Sequence, residues 1–390
     1  MARVLVCGAG VFGVTGALTL RARGYDVTLT DPGPIPHPLA ESTDISKAVR
    51  MDYGADESYT AWMENALDGW RAYNRKWNRE LFHETGVLYL SRGPMQAGGF
   101  EHDSFEVLTR RGHRIERLDA VEIGRHFPAW STGAYKDGYY NHVGGFAESG
   151  RVVARLVGDA RAAGVRIVEG FSAARILRDG AEDATGARLT ADYVVVAAGA
   201  WTARLVPSLA DHLFPIAQPV FHLRPSDAQP FQAHVFPTFG ADIAKTGYYG
   251  FPATPDGLLK IANHGPGRHL EPDGPRQVTD RDVASLRGFL RETFPALEDA
   301  PIASTRVCIY CDTHDEHFWI APDPDRPNIV VATGGSGHAF KFAPLLGEWI
   351  ADAVEGRVIE RFRWRPEARD ARGEEAARHH GDVPASDRVQ

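Results

Sequence analysis

Residues 3–31 read RVLVCGAGVFGVTGALTLRARGYDVTLTD. The run Arg3–Cys7 is short, apolar and without alternation, which predicts a parallel strand buried on both faces. Gly8, Gly10 and Gly13 then form G-x-G-x-x-G. Ala17, Leu18 and Leu20 give the next segment the apolar side of a helix, and Gly24 stops it. Val27–Thr30 predicts a second buried strand, ending at Asp31, 23 positions after Gly8. A glycine triplet alone is a weak signal. Between a strand and a helix, with an acid closing the next strand, it becomes a dinucleotide-binding fingerprint. Gly8 permits the tight turn, Gly10 lets the backbone approach a pyrophosphate, and Gly13 lets helix and strand pack closely. The helix N-terminus at Val11 and Phe12 offers unpaired N–H groups to phosphates, and Asp31 is placed to accept from ribose hydroxyls. The motif does not separate NAD from FAD.

Two later stretches narrow the choice. VVVAAGAW (194–201), with Ala198 and Gly199, and VVATGGSGHAF (330–340), with Gly335, Gly337 and His338, each place small residues at the end of a buried strand. Ligands in open parallel sheets lie at that edge. Three such crossings suit a long FAD better than NAD. Glu57–Trp77 predicts a helix whose Met63, Leu67, Trp70 and Trp77 share one face, a core stripe rather than a ligand cage. β-rich insertions separate the strand–glycine–helix units. The expected class is α/β (α+β): a Rossmann-type FAD-binding domain with a discontinuous β-rich substrate domain. Residues 1–80, 143–212 and 305–365 form the first, 81–142 and 213–304 the second. Residues 366–390 lack apolar periodicity and read as a polar tail, solvated or draped on the surface.

The 390 residues are 43% hydrophobic and 24% charged, with 43 basic and 51 acidic side chains and a net charge of −8. That balance is ordinary for a globular protein and argues against a nucleic-acid-coating surface. MARVLVCGAG enters an apolar strand at once, so no signal peptide is expected, and no apolar run approaches the ~20 residues of a membrane span. Three cysteines suggest a reducing, cytoplasmic compartment. Two of them, Cys308 and Cys311, form C-x-x-C in STRVCIYCDTHDEHF (304–318), followed by His314 and His317. The spacing leaves open a redox dithiol, a zinc site, or a single cysteine needed at one place.

The chain resembles the glycine/D-amino-acid oxidase (DAO) superfamily of FAD enzymes, and within it the monomeric sarcosine oxidase and fructosyl-amino-acid oxidase (amadoriase) group. VLVCGAGVFG, STDISKAVRMDYG, HETGVLYL, VVVAAGAWTARL, YYGFP, GLLKIANH, STRVCIYCDTHDEHFWI and GGSGHAFKFAP carry the likeness in order and spacing, to about residue 365. The resemblance implies a flavin joined through sulfur to Cys308. The strand reading of RVCIYC agrees, since it puts Cys308 and Tyr310 on one face and Cys311 on the other. It also implies that Lys260 sits over the flavin and promotes reaction with O2, and that Arg50 and Lys341 hold a substrate carboxylate. Lys341, between two phenylalanines, needs an anionic partner in any case. Lys47 stands where sarcosine oxidases carry arginine and amadoriases lysine. Tyr310 and His264 match further pocket positions. Thr43 replaces a histidine of sarcosine oxidases, and His264 a glutamate of amadoriases, so the pattern is a hybrid.

The implied activity is FAD-dependent oxidation of a secondary amine, an N-methyl or fructosyl amino acid. The products are an imine, then aldehyde or ketone plus amine, and H2O2. No metal is called for. The expected partners are the carboxylated amine and O2, with no nucleic acid and no membrane, for a monomer or simple homodimer. A dehydrogenase with another acceptor, or a non-catalytic flavin-binding subunit, is the alternative.

Overall fold

The opening stretch folds as its pattern dictates. In the computed structural model, which describes residues 1–131, 133–370 and 373–381, β1 (Arg3–Cys7), α1 (Val11–Ala22) and β2 (Asp26–Asp31) follow one another. β1 pairs in parallel with β2, Cys7 opposite Thr30, and on its other side with Tyr193–Val196, Cys7 opposite Val196. Val196 in turn lies opposite Val331 of Arg326–Thr333. Arg166–Glu169 extends the sheet beyond β2, and antiparallel Trp319–Asp323 closes the far edge. This register brings the C-terminal ends of the central strands to one edge, so the three glycine turns gather there. Gly8 holds a φ of +109°, and a Cβ on Gly13 would lie 1.8 Å from the Gly8 carbonyl oxygen. Only glycine at both positions lets α1 start against β1. Val14, Ala17 and Leu20 of α1 are buried with Leu346 and Ile350 of the helix Ala343–Val354.

After a short strand β3 (Lys47–Val49) comes α2, with the expected bounds Glu57–Trp77. Asp56 caps it by accepting from the Ser58 and Tyr59 N–H groups, and Asn78 ends it in the left-handed conformation. Met63, Leu67, Trp70 and Trp77 are all buried. The stripe also has a positioning task, because Trp70 Nε1 donates to the Lys341 carbonyl at 2.7 Å.

A second, nine-stranded mixed sheet includes Val87–Ser91, Phe214–Leu223, Thr238–Ala241 and Leu259–Asn263. Ile302–Asp312 pairs antiparallel with Phe214–Leu223 along its length. It therefore runs through the boundary expected at residue 305 and belongs to this sheet. An aromatic core of Trp130, Phe231, Phe236, Phe239 and Phe294 fills one face. β3 pairs with Gly145–Ala147 in a separate small sheet that carries Lys47. No helix among the described residues is long and apolar enough to cross a membrane.

The expected polar tail needs correction. Residues 373–381 are not draped over the surface: Glu375, Ala377 and Arg378 are buried. The segment is drawn in by charge rather than by an apolar face, which is why periodicity gave no sign of it. Residues 382–390 lie outside the described part.

Candidate active site

At the glycine-rich edge of the six-stranded sheet lies a cavity of about 520 Å³. Gly8, Gly10, Val11, Phe12, Asp31, Ala198, Gly199 and Gly335 line it. Gly10 caps α1 with no side chain of its own, and Ser42 Oγ accepts from the Val11 N–H at 3.0 Å. The Asp31 carboxylate accepts from the Ala9 N–H at 2.8 Å and the Gly33 N–H at 2.9 Å, which fixes it at the rim. A smaller space of about 60 Å³ adjoins, and Lys47 and Phe340 line both. Lys47 has no hydrogen-bonded partner among the described residues. Thr43 Oγ1 and Ser46 Oγ nearby are buried without partners. A small-residue cradle, a helix N-terminus, a ribose-height acid and a lysine whose charge is felt by Glu41 and Asp44 together fit a dinucleotide whose ring end reaches the smaller chamber.

The smaller chamber gathers Lys47, Arg50, Lys260, His264, Cys308, Tyr310, Gly337, His338 and Lys341. Residues that the sequence placed in one site are thus brought together from several separate stretches of the chain. Cys308 and Tyr310 share a buried cluster with Val220 and Ala262, whereas Cys311 packs on the other side with Cys7. Thr333 Oγ1 donates to Cys311 Sγ at 3.3 Å. Burial pushes the Cys311 thiol up to about 12. Cys308 is raised too, by burial, but the Lys47 cation opposes the rise. His314 Nε2 donates to the Asp211 carbonyl, while His317 sits between Tyr59 and Glu374. The four side chains of the C-x-x-C stretch are therefore engaged separately. No group of His, Cys, Asp and Glu among the described residues is arranged to hold a metal.

Lys260 is buried, and its Nζ donates to Asp44 Oδ2 and to the Ser46 carbonyl, both at 2.6 Å. Burial works against the Asp44 carboxylate, yet the Lys260 ammonium and the His222 imidazole, 3.4 Å away, hold it below the usual carboxylate range. Asp44, within STDISKAVR, is a site residue that sequence reasoning missed.

Arg50 departs from expectation. It faces the chamber, but its Nη2 donates to Glu375 Oε1 at 2.7 Å, and its Nη1 donates to the Asp52 carbonyl. His264 Nε2 donates to the other Glu375 oxygen at 2.6 Å. Burial opposes the charge on Glu375, but His264 and Arg50 hold its carboxyl well below the usual range. Half of the expected carboxylate clamp is thus already occupied by a carboxylate of the protein.

Lys341 is different. Among the described residues its Nζ donates only to Tyr53 Oη, at 3.0 Å, and it lies 4.9 Å over that ring. Tyr53 in turn donates to His338 Nδ1 at 3.0 Å, and His338 Nε2 donates to the Glu316 carbonyl at 2.9 Å. This chain fixes the His338 tautomer and aims Lys341. Burial, reinforced by Arg50, holds the Lys341 pKa well below that of an ordinary lysine. Tyr53 was not among the residues singled out from sequence, although it closes the matched stretch KAVRMDYG.

Comparison with known proteins agrees with this geometry. Residues 3–353 match the DAO family model, described as FAD dependent oxidoreductase. Monomeric sarcosine oxidase of a Bacillus species is 28% identical over 368 residues, covering 91% of this chain and 93% of that protein. N-methyl-L-tryptophan oxidase of Salmonella arizonae is 29% identical over 356 residues, covering 90% and 93%. Among solved structures, fructosyl amine:oxygen oxidoreductase (Amadoriase I) from Aspergillus fumigatus superposes with a TM-score of 0.81 at 26% identity, covering 98% of this chain and 94% of that one.

The Lys260–Asp44 pair carries a testable stability consequence. Lys260→Met leaves Asp44 buried without its cation and should cost about 3–5 kcal/mol in denaturant unfolding. Lys260→Met with Asp44→Asn should recover most of that loss. Equal losses in the single and double variants would show that the pair is not maintained.

Proposed function

The chain belongs to the DAO family of FAD-dependent oxidoreductases, and from that premise we propose that it oxidises an N-substituted amino acid, a secondary amine carrying a carboxylate, with O2 as acceptor and H2O2 as product. One observation carries the substrate class. Five basic side chains are buried among the described residues: Arg50, Lys260, Lys341, Arg365 and Arg378. Four have a carboxylate within ion-pair distance. Lys341 has a tyrosine hydroxyl instead. A buried ammonium without a counter-charge is costly, and an anionic ligand removes that cost.

Gly8, Gly10, Ala198, Gly199 and Gly335 would cradle the cofactor, with Asp31 toward the ribose and Lys47 at the passage into the smaller chamber. When bound, FAD supplies the acceptor for the electron pair of the C–H bond beside nitrogen and delivers it to O2. Lys341, oriented by Tyr53 and Trp70, receives the substrate carboxylate and sets the amine carbon against the chamber wall. Tyr249, Phe340 and Tyr310 supply apolar and aromatic walls there. Lys260 is the cation for the oxygen half of the cycle, its charge moderated by Asp44. Relatives named for sarcosine, N-methyl-L-tryptophan and fructosyl amines support the N-substituted class.

The substrate reading is tested by anaerobic flavin bleaching with sarcosine, other N-methyl amino acids, fructosyl amino acids, pipecolate and proline, each beside its decarboxylated amine. Lys341→Met should raise KM for the acid by about tenfold or more, roughly 1.4 kcal/mol, and affect the decarboxylated amine far less. A wild-type preference for the decarboxylated amine would overturn the assignment.

The same lysine dictates a pH dependence. Its depressed pKa leaves it neutral at pH values where an ordinary lysine is charged, and a carboxylate binds the ammonium form. Affinity for a simple carboxylate inhibitor should therefore be highest between the inhibitor's own pKa and that of Lys341, where carboxylate and ammonium coexist. Above the Lys341 pKa it should fall with rising pH, by up to about tenfold per pH unit. Titrations that show no such decline would remove Lys341 from the site.

We further assign Cys308 as the attachment point of the flavin. It lies beside Lys47 in the smaller chamber, while Cys311 is held by Thr333 on the other face. After acid precipitation the flavin should stay with the protein. Cys308→Ala should release it to the supernatant, and Cys311→Ala should not.

A further inference from the structure

Residues 373–381 pack behind the chamber, and Glu375 contacts two of its lining residues, Arg50 and His264. Its side chain is only 2% exposed, and its two oxygens bridge Arg50 and His264. The segment is fastened by other groups. The Glu375 N–H donates to Glu316 Oε2 at 3.0 Å, and the His379 N–H donates to the His264 carbonyl at 3.0 Å. Arg378 pairs with Asp312 at 2.6 Å and Glu316 at 3.2 Å. Ala377 is buried in an apolar cluster with Tyr89, Phe100 and Ile243. None of these contacts uses the Glu375 carboxylate, so that group can leave Arg50 while the backbone stays docked.

We infer that Glu375 is a specificity-determining residue: an internal carboxylate that holds Arg50 while the site is empty and is exchanged for the carboxylate of the substrate. The inference rests on the reading that Lys341 and Arg50 form the carboxylate site. The exchange conserves charge at Arg50, which keeps one anionic partner throughout. It also makes the second half of the clamp conditional. A ligand carboxylate meets Lys341 first, and gains Arg50 only by displacing Glu375. A ligand without a carboxylate leaves the Arg50–Glu375 pair intact and binds beside it. The protein carboxylate therefore competes with every anionic ligand and with no neutral one. Removing it should tighten anions selectively, which is the opposite of what loss of a structural ion pair would do.

The test uses calorimetric titration of the flavin-loaded protein with propionate and its neutral twin, propionamide. In Glu375→Gln, the propionate Kd should fall about tenfold or more, while the propionamide Kd changes less than about twofold. Glu375→Asp, which keeps the charge but is too short to span Arg50 and His264 together, should shift propionate in the same direction by a smaller factor and provides the test should Glu375→Gln fail to fold. A propionate Kd that is unchanged or raised in the folded variants overturns the exchange while leaving Lys341 as a carboxylate site. Failure of wild type and variants alike to bind propionate overturns the carboxylate site itself, and the exchange with it.

Discussion

A charge carried into a dry interior must meet an opposite charge there, and the arrangement of this molecule around its smaller chamber follows from that constraint. The desolvation of one ion costs several kcal/mol even after relaxation. Lys260 meets Asp44, Arg50 meets Glu375, Arg365 meets Asp315 and Arg378 meets Asp312. Each pair ties together segments far apart in the chain. Lys260 joins the nine-stranded sheet to the loop before β3, and Arg378 joins the C-terminal segment to the end of the strand Ile302–Asp312. The chamber walls are held by these pairs as much as by apolar packing. Among the described residues Lys341 has no such partner, which is why the proposed function places the substrate carboxylate there.

The nucleotide-binding half was legible because its signals are local. A buried strand, three glycines and a helix lie within 29 residues, and each glycine has a steric reason visible in the structure: a positive φ at Gly8 and a missing Cβ at Gly13. Parallel register then carries the same edge to Ala198–Gly199 and Gly334–Gly337, so three separate runs line one cavity. α2 was equally plain, with an aspartate cap, a 3.6-residue apolar stripe and an asparagine stop. The nine-stranded sheet was less so. Its strands are short and pair across long insertions, and the strand Ile302–Asp312 continues through the point where composition suggested a domain boundary.

For the site, the sequence singled out basic, thiol and aromatic residues that line one chamber, but not the groups that hold them. Strand alternation separated Cys308 from Cys311 before any coordinates did, because period 2 is a local property. Lys260 and Arg50 were singled out, yet the carboxylates they meet stand 216 and 325 positions away. No periodicity links residues at such distances. A carboxylate in a loop carries no mark that it will be buried against a cation. Tyr53 lay in a stretch already recognised, but its role as the acceptor for Lys341 depends on the packing of Trp70 against the Lys341 backbone, which is a tertiary fact.

The C-terminal segment shows why composition misled. A stretch without apolar periodicity cannot bury an apolar face, and the usual inference is that it stays in water. Residues 373–381 satisfy that description and are nonetheless held, because the surface they meet is itself charged. Without them, Arg50 would lose the carboxylate that pairs with it beside Lys341. An uncompensated cation buried there would disfavour the folded chamber. With Glu375 in place, Arg50 is compensated, while Lys341 keeps a depressed pKa. The same carboxylate that makes a buried Arg50 tolerable is therefore the one that, in the exchange proposed above, an anionic substrate would move.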